Sequence, residues 1–376
     1  MAVMKRWLSN LGALALGAGL SLAAAEVLLR VAGVHYPAFY TVDAQRGYGL
    51  RPRAQGVWSR EGRGLVRINA AGFRGDDVSV QPPTGVLRIA VLGDSFTEAL
   101  QVDEQASFVK QLQARLVEAS QCPLRRGHAA GVEVLNFGVG GYGTGQELLT
   151  WRHLARRYQP DLVLLALYPG NDFTDNDPEP RDDRPVFRLD HEGQLQLDNS
   201  FLSSSNYRKR NSWLGRLADG LINHSRLLQL LNEAKNRMAN RPAAPPQRLA
   251  DRPLPATPQA SDQSWRLTDA LIGALATETR ADGAGFAVVS ASSPDQLWPR
   301  RQSRPAHPFG QEQRLAGLLA ARGIPYLPLA PELQRLGDAQ GLTLHGFAGQ
   351  APGEGHWNVS GHRLAAALTA PWLCRL

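Results

Sequence analysis

Four short stretches of the chain carry residue types that could do chemistry together. Ser95 lies in LGDSFTEAL (92–100), a dense run of glycines lies in NFGVGGYGTGQE (136–147), Asn171 lies in YPGNDFTDN (168–176), and His356 with Glu354 lies in PGEGHWNVSGHRLAAAL (352–368). A serine hydroxyl, an imidazole to take its proton, a carboxylate to orient the imidazole and N–H groups to hold an oxyanion are the parts of an acyl-transfer site. Each part also has a plainer reading. Ser95 and Glu98 have the S-x-x-E spacing of a helix capping box, the glycines could form an ordinary tight turn, and Asn171 could shape an Asx turn. His362, the second histidine of the last stretch, falls within the first turns of a helical pattern, where packing is the better reading. His356 precedes that helix, which Asn358 or Ser360 could cap, so His356 is the expected general base. Glu354 stands two residues before it, and in an extended loop such positions point the same way. A phosphate cradle is excluded, because no Lys-Ser or Lys-Thr pair follows the glycines.

The elements needed to bring these stretches together are visible as five apolar runs: VLRIAVLGDS (86–95), GVEVLNFG (131–138), PDLVLLALYPGND (160–172), GFAVVSASSP (285–294) and IPYLPLAPE (324–332). Their continuous apolar character predicts strands buried on both faces, as in a parallel sheet. Helical periodicity separates them over Phe108 to Ala119, Gln146 to Tyr158, Trp265 to Arg280, Gln311 to Arg322 and Ser360 to Leu368. Alternation of strand and helix is the pattern of a three-layer α/β domain. Ligands of such sheets bind beyond the carboxyl ends of the strands, and that is where Ser95, the glycines and Asn171 fall.

Two stretches interrupt the alternation. Residues 34–84 form a lead-in that includes INAAGFRGDD, whose Gly72 and Asp76 suggest turns. Residues 173–264 form an insertion in the 85–376 domain, with an amphipathic helix expected around Trp213–Met238, followed by the proline-rich NRPAAPPQRLADRPLPATPQ, which reads as an extended linker or loop.

Composition narrows the function classes. The chain has 376 residues, 43% of them hydrophobic and 20% charged, which is globular. The net charge is +7, but the basic residues are scattered and only Lys5, Lys110, Lys209 and Lys235 are lysines. No basic run interleaved with aromatics is present, which argues against nucleic-acid binding. At the N-terminus Lys5 and Arg6 precede an uncharged stretch from Trp7 to Ala25, about the length of a membrane span. Ala23 and Ala25 resemble a cleavage site, so a removed signal peptide and a secreted product are the competing reading. The length of the stretch and the helical pattern running on through EVLLRVAG favour an uncleaved anchor over residues 1–33. The preceding positive charges place the N-terminus in the cytoplasm and the domain in the periplasm or another extracytoplasmic space.

The four blocks resemble those of the SGNH or GDSL hydrolases. GDSF (93–96), NFGVGGYG (136–143), GND (170–172) and GHWNVSGH (355–362) stand in that family's order at the expected strand ends. The resemblance covers about 85–376, less the insertion. It implies a flavodoxin-like five-stranded parallel sheet of order 2-1-3-4-5, a Ser95 nucleophile, a His356 base, and an oxyanion hole from the Ser95 N–H, the Gly141 N–H and the Asn171 side chain, with Gly140 as the alternative glycine. It implies no cofactor and no metal. Many members carry an aspartate three residues before the histidine, where this chain has Gly353. Around EGHW the chain is similar to the periplasmic alginate O-acetylation proteins, which have an acid two residues before the histidine; Glu354 is therefore the expected acid, with a Ser-His dyad as the alternative. In the implied topology the first and last helices share a face, so Cys122 and Cys374 are a candidate disulfide. The expected activity is hydrolysis of a small acyl ester, such as an O-acetyl group on a sugar or cell-surface glycan. The alternatives are an O-acetyltransferase acting on an extracytoplasmic polysaccharide and an inactive glycan-binding scaffold.

Overall fold

The computed structural model of the chain describes residues 2–239, 260–348 and 352–376. The proline-rich stretch 240–259 lies outside them. Five parallel strands, Val86–Gly93, Gly131–Asn136, Leu162–Leu167, Gly285–Ser290 and Tyr326–Pro328, form one sheet. Numbered along the chain, their order across the sheet is 2-1-3-4-5, as the resemblance implies. The third strand, LVLLAL, is buried at every position, which is why its residues are apolar without alternation.

Twelve helices surround the sheet and carry the outlying segments among the described residues: α1 (Ala2–Val31), α2 (Ser95–Glu98), α3 (Phe108–Glu118), α4 (Thr144–His153), α5 (Asp172–Asp175), α6 (Ser205–Asn211), α7 (Trp213–His224), α8 (Arg226–Ala239), α9 (Asp262–Ala281), α10 (Gly310–Ala321), α11 (Ala330–Gln340) and α12 (Val359–Leu373). One core, built on Leu148, Trp151, Leu271, Leu275, Leu315 and the sheet, lies under α4, α9 and α10. A second, built on Phe108, Leu112, Leu333, Leu364 and Leu373, lies under α3, α11 and α12. The domain thus has three layers.

Helices α3 and α12 pack side by side. Cys122, after α3, and Cys374, after α12, are joined in a disulfide across a Cα separation of 4.9 Å. It closes a loop of 252 residues, and the chain entropy removed from the unfolded state is worth about 2–5 kcal/mol. A Cys122→Ser/Cys374→Ser protein is expected to unfold several degrees below the wild type in thermal melts, and reductant should lower the wild-type midpoint by the same amount while leaving the variant unchanged.

The helix expected over Trp213–Met238 is two helices. The break is at Ser225, whose backbone is extended (φ −99°, ψ 121°) and whose Oγ accepts from the Leu228 N–H at 3.2 Å to cap α8. The lead-in is more ordered than a pair of turns. It forms two hairpins, Tyr40–Asp43 with Gly47–Leu50 and Gln55–Trp58 with Gly64–Arg67. These close a third small core of Phe39, Leu50, Val66, Ile68, Leu100 and Tyr142 against the glycine-rich loop.

Candidate active site

The first strand ends at Gly93, and Asp94 caps the short helix α2 by accepting the Phe96 N–H at 2.9 Å. This settles the capping question for Ser95. The aspartate serves the helix backbone, which leaves the serine hydroxyl available, and Ser95 Oγ lies 2.7 Å from His356 Nε2. Glu98, the other half of the supposed box, does not reach back; its carboxylate accepts from the Tyr40 hydroxyl at 2.8 Å. Gly93 has to be glycine because a Cβ would lie 2.2 Å from Thr97 Oγ1.

The acid on the imidazole is Glu61, not Glu354. Glu61 Oε2 lies 2.5 Å from His356 Nδ1 and Glu61 Oε1 accepts the His356 backbone N–H at 2.7 Å. Glu61 comes from the tip of the second lead-in hairpin, which precedes the sheet altogether. The expectation for Glu354 fails on backbone geometry. Gly355 has φ +70°, so residues 354–356 are not extended and the alternation that would put the two side chains on one side does not apply. A Cβ on Gly355 would lie 2.1 Å from Glu61 Oε1; the carboxylate of Glu61 occupies the space a side chain there would fill. Position 353 is equally closed to an aspartate, because Gly353 has φ +89° and a Cβ would lie 2.7 Å from Pro299 Cδ. A Gly355→Ala protein is therefore expected to displace Glu61 and lose at least about 100-fold in kcat, with a stability cost of about 1–3 kcal/mol from the strained backbone; esterase kinetics and a thermal melt would check both.

His345, which sequence reasoning missed, holds the histidine loop in place. Its Nδ1 is 2.7 Å from the Gly355 carbonyl and its Nε2 3.1 Å from Ser292 Oγ, which in turn accepts the Trp357 indole N–H at 2.8 Å. The bonding assigns the proton to Nδ1, since the carbonyl can only accept. Burial pushes the His345 pKa down to about 4, so the ring stays neutral. Phe96 packs against the His356 ring at 5.0 Å between centroids and against Trp357 at 5.1 Å. A histidine within GLTLHGF has no spacing signal that would mark it as a support.

Arg74, in the GFRG stretch of the lead-in, is a second missed residue. It is buried, and its guanidinium donates to the carbonyls of Glu98, Ala99 and Val102 at the end of α2. Asn136, at the end of the second strand, donates to the Thr97 carbonyl at 2.7 Å. Together they fix the turn that presents Ser95. His362 is buried in packing, as expected, and accepts the Phe108 N–H at 3.2 Å. Asn358 caps α12 through the N–H groups of Ser360 and Gly361.

The glycine-rich loop lies beside α2. The Gly140 N–H faces the Glu98 carboxylate, whereas the Gly141 N–H has no partner among the described residues. Gly141 has φ +75°, and its carbonyl accepts from Arg184 of the insertion. Asn171 Nδ2 donates to Asp175 Oδ2 at 2.7 Å, leaving one N–H of the amide over. Arg181, also from the insertion, reaches Asp175 at 3.5 Å. The insertion therefore braces two of the expected oxyanion donors.

Burial by itself pushes the His356 pKa down, but the hydrogen bond and charge of Glu61, with the charges of Asp94 and Glu98, outweigh it, and the net shift is upward from 6.5. Burial raises Glu61, and its bonds from His356 outweigh that, so its carboxyl lies below the usual range. The pair is a carboxylate holding an imidazole whose other nitrogen faces a serine hydroxyl. This is the geometry of a proton relay.

The five-stranded parallel sheet and the meeting of the four blocks at its edge agree with the resemblance drawn from the sequence. No protein-family model matches the chain, and no curated protein matches it. Solved structures similar to it include the acetyl xylan esterase AlAXEase, at 10% identity and TM-score 0.41 over 77% of this chain and 100% of that one. TesA is similar at 15% identity and TM-score 0.38 over 76% and 97%. A catalytic mutant of Axe2, an acetylxylan esterase from Geobacillus stearothermophilus, is similar at 13% identity and TM-score 0.39 over 76% and 94%. These likenesses are distant, and the functional reading rests on the residues of this chain.

Proposed function

We propose that this chain is a serine esterase of the SGNH type that hydrolyses a small acyl ester, with O-acetyl groups on a sugar or cell-surface glycan as the substrate class, at the extracytoplasmic face of a membrane. The observation that carries it is the continuous chain Glu61, His356, Ser95, with contacts of 2.5 and 2.7 Å. Ser95 Oγ attacks the acyl carbon as its proton passes to His356 Nε2. The imidazolium then gives that proton to the leaving alcohol, and an acyl-Ser95 ester remains. Water attacks this ester, loses a proton to His356, and releases the carboxylic acid and free Ser95. Glu61 stabilises the imidazolium and keeps the Nδ1 proton in place throughout. The Ser95 N–H, the Gly141 N–H and the free Asn171 amide N–H hold the oxyanion, each donor being worth roughly 10²–10³ in rate.

Two observations support the membrane reading. The helix over Arg6–Val31 contains an 18-residue window of mean hydropathy 1.8, and none of that window is buried.

Only neutral His356 can accept the serine proton. Because its pKa is raised above 6.5, kcat/KM on p-nitrophenyl acetate is expected to fall on the acid side with a midpoint above pH 6.5, and removing the Glu61 charge should move that midpoint to lower pH. Rapid quenching should trap one acetyl group on the Ser95 peptide in mass spectra. A pH-independent rate with no acylated peptide would overturn the proposal.

A further inference from the structure

Helices α7 and α8 are built the wrong way round for the surface of a water-soluble protein. A surface helix ordinarily turns its apolar side inward and its polar side to water. Here the inward side is polar. Asp219 of α7 pairs with Arg51 at 2.5 Å, and Asn223 accepts the Ala38 N–H at 3.0 Å. On α8, Gln229 accepts the Tyr36 N–H at 3.1 Å and Glu233 accepts from Ser59 at 3.2 Å. The outward side is apolar: Trp213, Leu217 and Leu221 on α7 are 68%, 52% and 53% exposed, and Leu231 and Met238 on α8 are 57% and 77% exposed. Among the described residues nothing covers them.

The position of the hairpin says what does. Glu26 lies within the apolar stretch of α1, and its carboxylate accepts from the Arg226 N–H, the Leu227 N–H and the Ser225 hydroxyl at the start of α8. Arg30 of α1 donates to the His224 carbonyl at the end of α7 at 2.6 Å. The apex of the hairpin is thus bolted to α1 at Glu26, about 7 Å along the helix axis before Val31. Helix α8 packs against α1, whose apolar window has no buried residue. Exposed charges on the same segment, Arg208, Lys209, Arg210 and Lys235, are basic, while its two acids, Asp219 and Glu233, face inward. An amphipathic hairpin with a tryptophan and leucines on one side, basic residues around it and a membrane span at its apex has the chemistry of an element lying in the interface of an anionic bilayer.

We infer that α7 and α8 form an interfacial membrane dock, seating the domain on the lipid surface beside its own anchor. The proposal rests on the reading of α1 as a membrane span. Its consequence for the site is direct: Ser59, held by Glu233, stands two residues before Glu61, so the loop that carries the acid rests on the inner side of the dock.

The test uses the full chain in phosphatidylcholine and phosphatidylglycerol vesicles, with single cysteines at Leu217→Cys, Leu231→Cys, Leu14→Cys or Val117→Cys labelled with an environment-sensitive fluorophore under non-reducing conditions. Nitroxide-bearing lipids are expected to quench the labels at 217 and 231, as at 14 in the span, and not at 117. Quenching at 14 alone would overturn the dock and leave the anchor standing; quenching at none of the sites would overturn both. A blue-shifted label at 217 that lipid nitroxides do not quench would mean burial against protein, either residues 240–259 or a second copy, and would also overturn the dock. A Trp213→Gln/Leu217→Gln/Leu221→Gln protein is expected to keep wild-type hydrolysis of p-nitrophenyl acetate while losing quenching at 231, so a failed dock and a failed esterase give different results.

Discussion

Glu61→Gln is expected to lower kcat about 10⁴-fold, whereas Glu354→Gln should stay within about twofold of wild type. The reason lies in which oxygen of Glu61 meets which hydrogen. Oε1 is held by the His356 backbone N–H at 2.7 Å, and Oε2 meets Nδ1 at 2.5 Å. In the glutamine variant the backbone N–H can be satisfied only by the carbonyl oxygen, so the amide NH₂ is turned to Nδ1. An NH₂ there donates, which forces the imidazole proton onto Nε2. His356 then faces Ser95 with a donor where an acceptor is required. The fold should survive, because the substitution preserves shape and leaves the disulfide and both cores intact. Steady-state kinetics of both variants, with thermal melts beside them, decide the assignment. A Glu354→Gln loss as large as that of Glu61→Gln would return the acid to the histidine block.

Ser95→Ala is expected to remove essentially all hydrolysis, a loss of about 10⁶ in kcat, and to abolish labelling by a fluorophosphonate. The residual rate would come from the oxyanion donors and binding alone. Because Asp94 and not Ser95 caps α2, the alanine should cost little stability. The cap is the control: Asp94→Ala should lower the melting temperature by an amount corresponding to about 0.5–2 kcal/mol, while Ser95→Ala should leave it close to wild type. Wild-type turnover by the Ser95→Ala protein would show that another group is the nucleophile.

The sheet was legible because a strand buried on both faces must be apolar throughout, and LVLLAL has no other use in a domain of this composition. Ser95, His356 and the glycine loop were legible because each sits where a strand or loop meets a helix, and chain order places those junctions at one edge of a parallel sheet. Cys122 and Cys374 were legible once that topology put α3 and α12 on one face. Glu61 was not. SREGR (59–63) reads as a charged loop, and nothing local distinguishes its carboxylate from the other acids of the chain. The same holds for Arg74 and His345, which act by donating to backbone carbonyls, Arg74 to those of Glu98, Ala99 and Val102 and His345 to that of Gly355.

The inverted hairpin shows the division in another form. The amphipathicity of 213–238 is plain in the sequence, but periodicity gives a helix two sides without saying which one faces the protein. That was decided by Arg51, Ala38 and Tyr36 of the lead-in, which recruit the polar side. The sequence alone determined the sheet and the serine and histidine that meet at its edge, since these follow from local pattern and chain order. Tertiary structure alone decided the acid and the outward side of the hairpin, because both depend on a segment before the sheet folding back across it. Local rules do not encode that contact. One glycine, Gly355, records its outcome by leaving no room for a side chain where Glu61 reaches in.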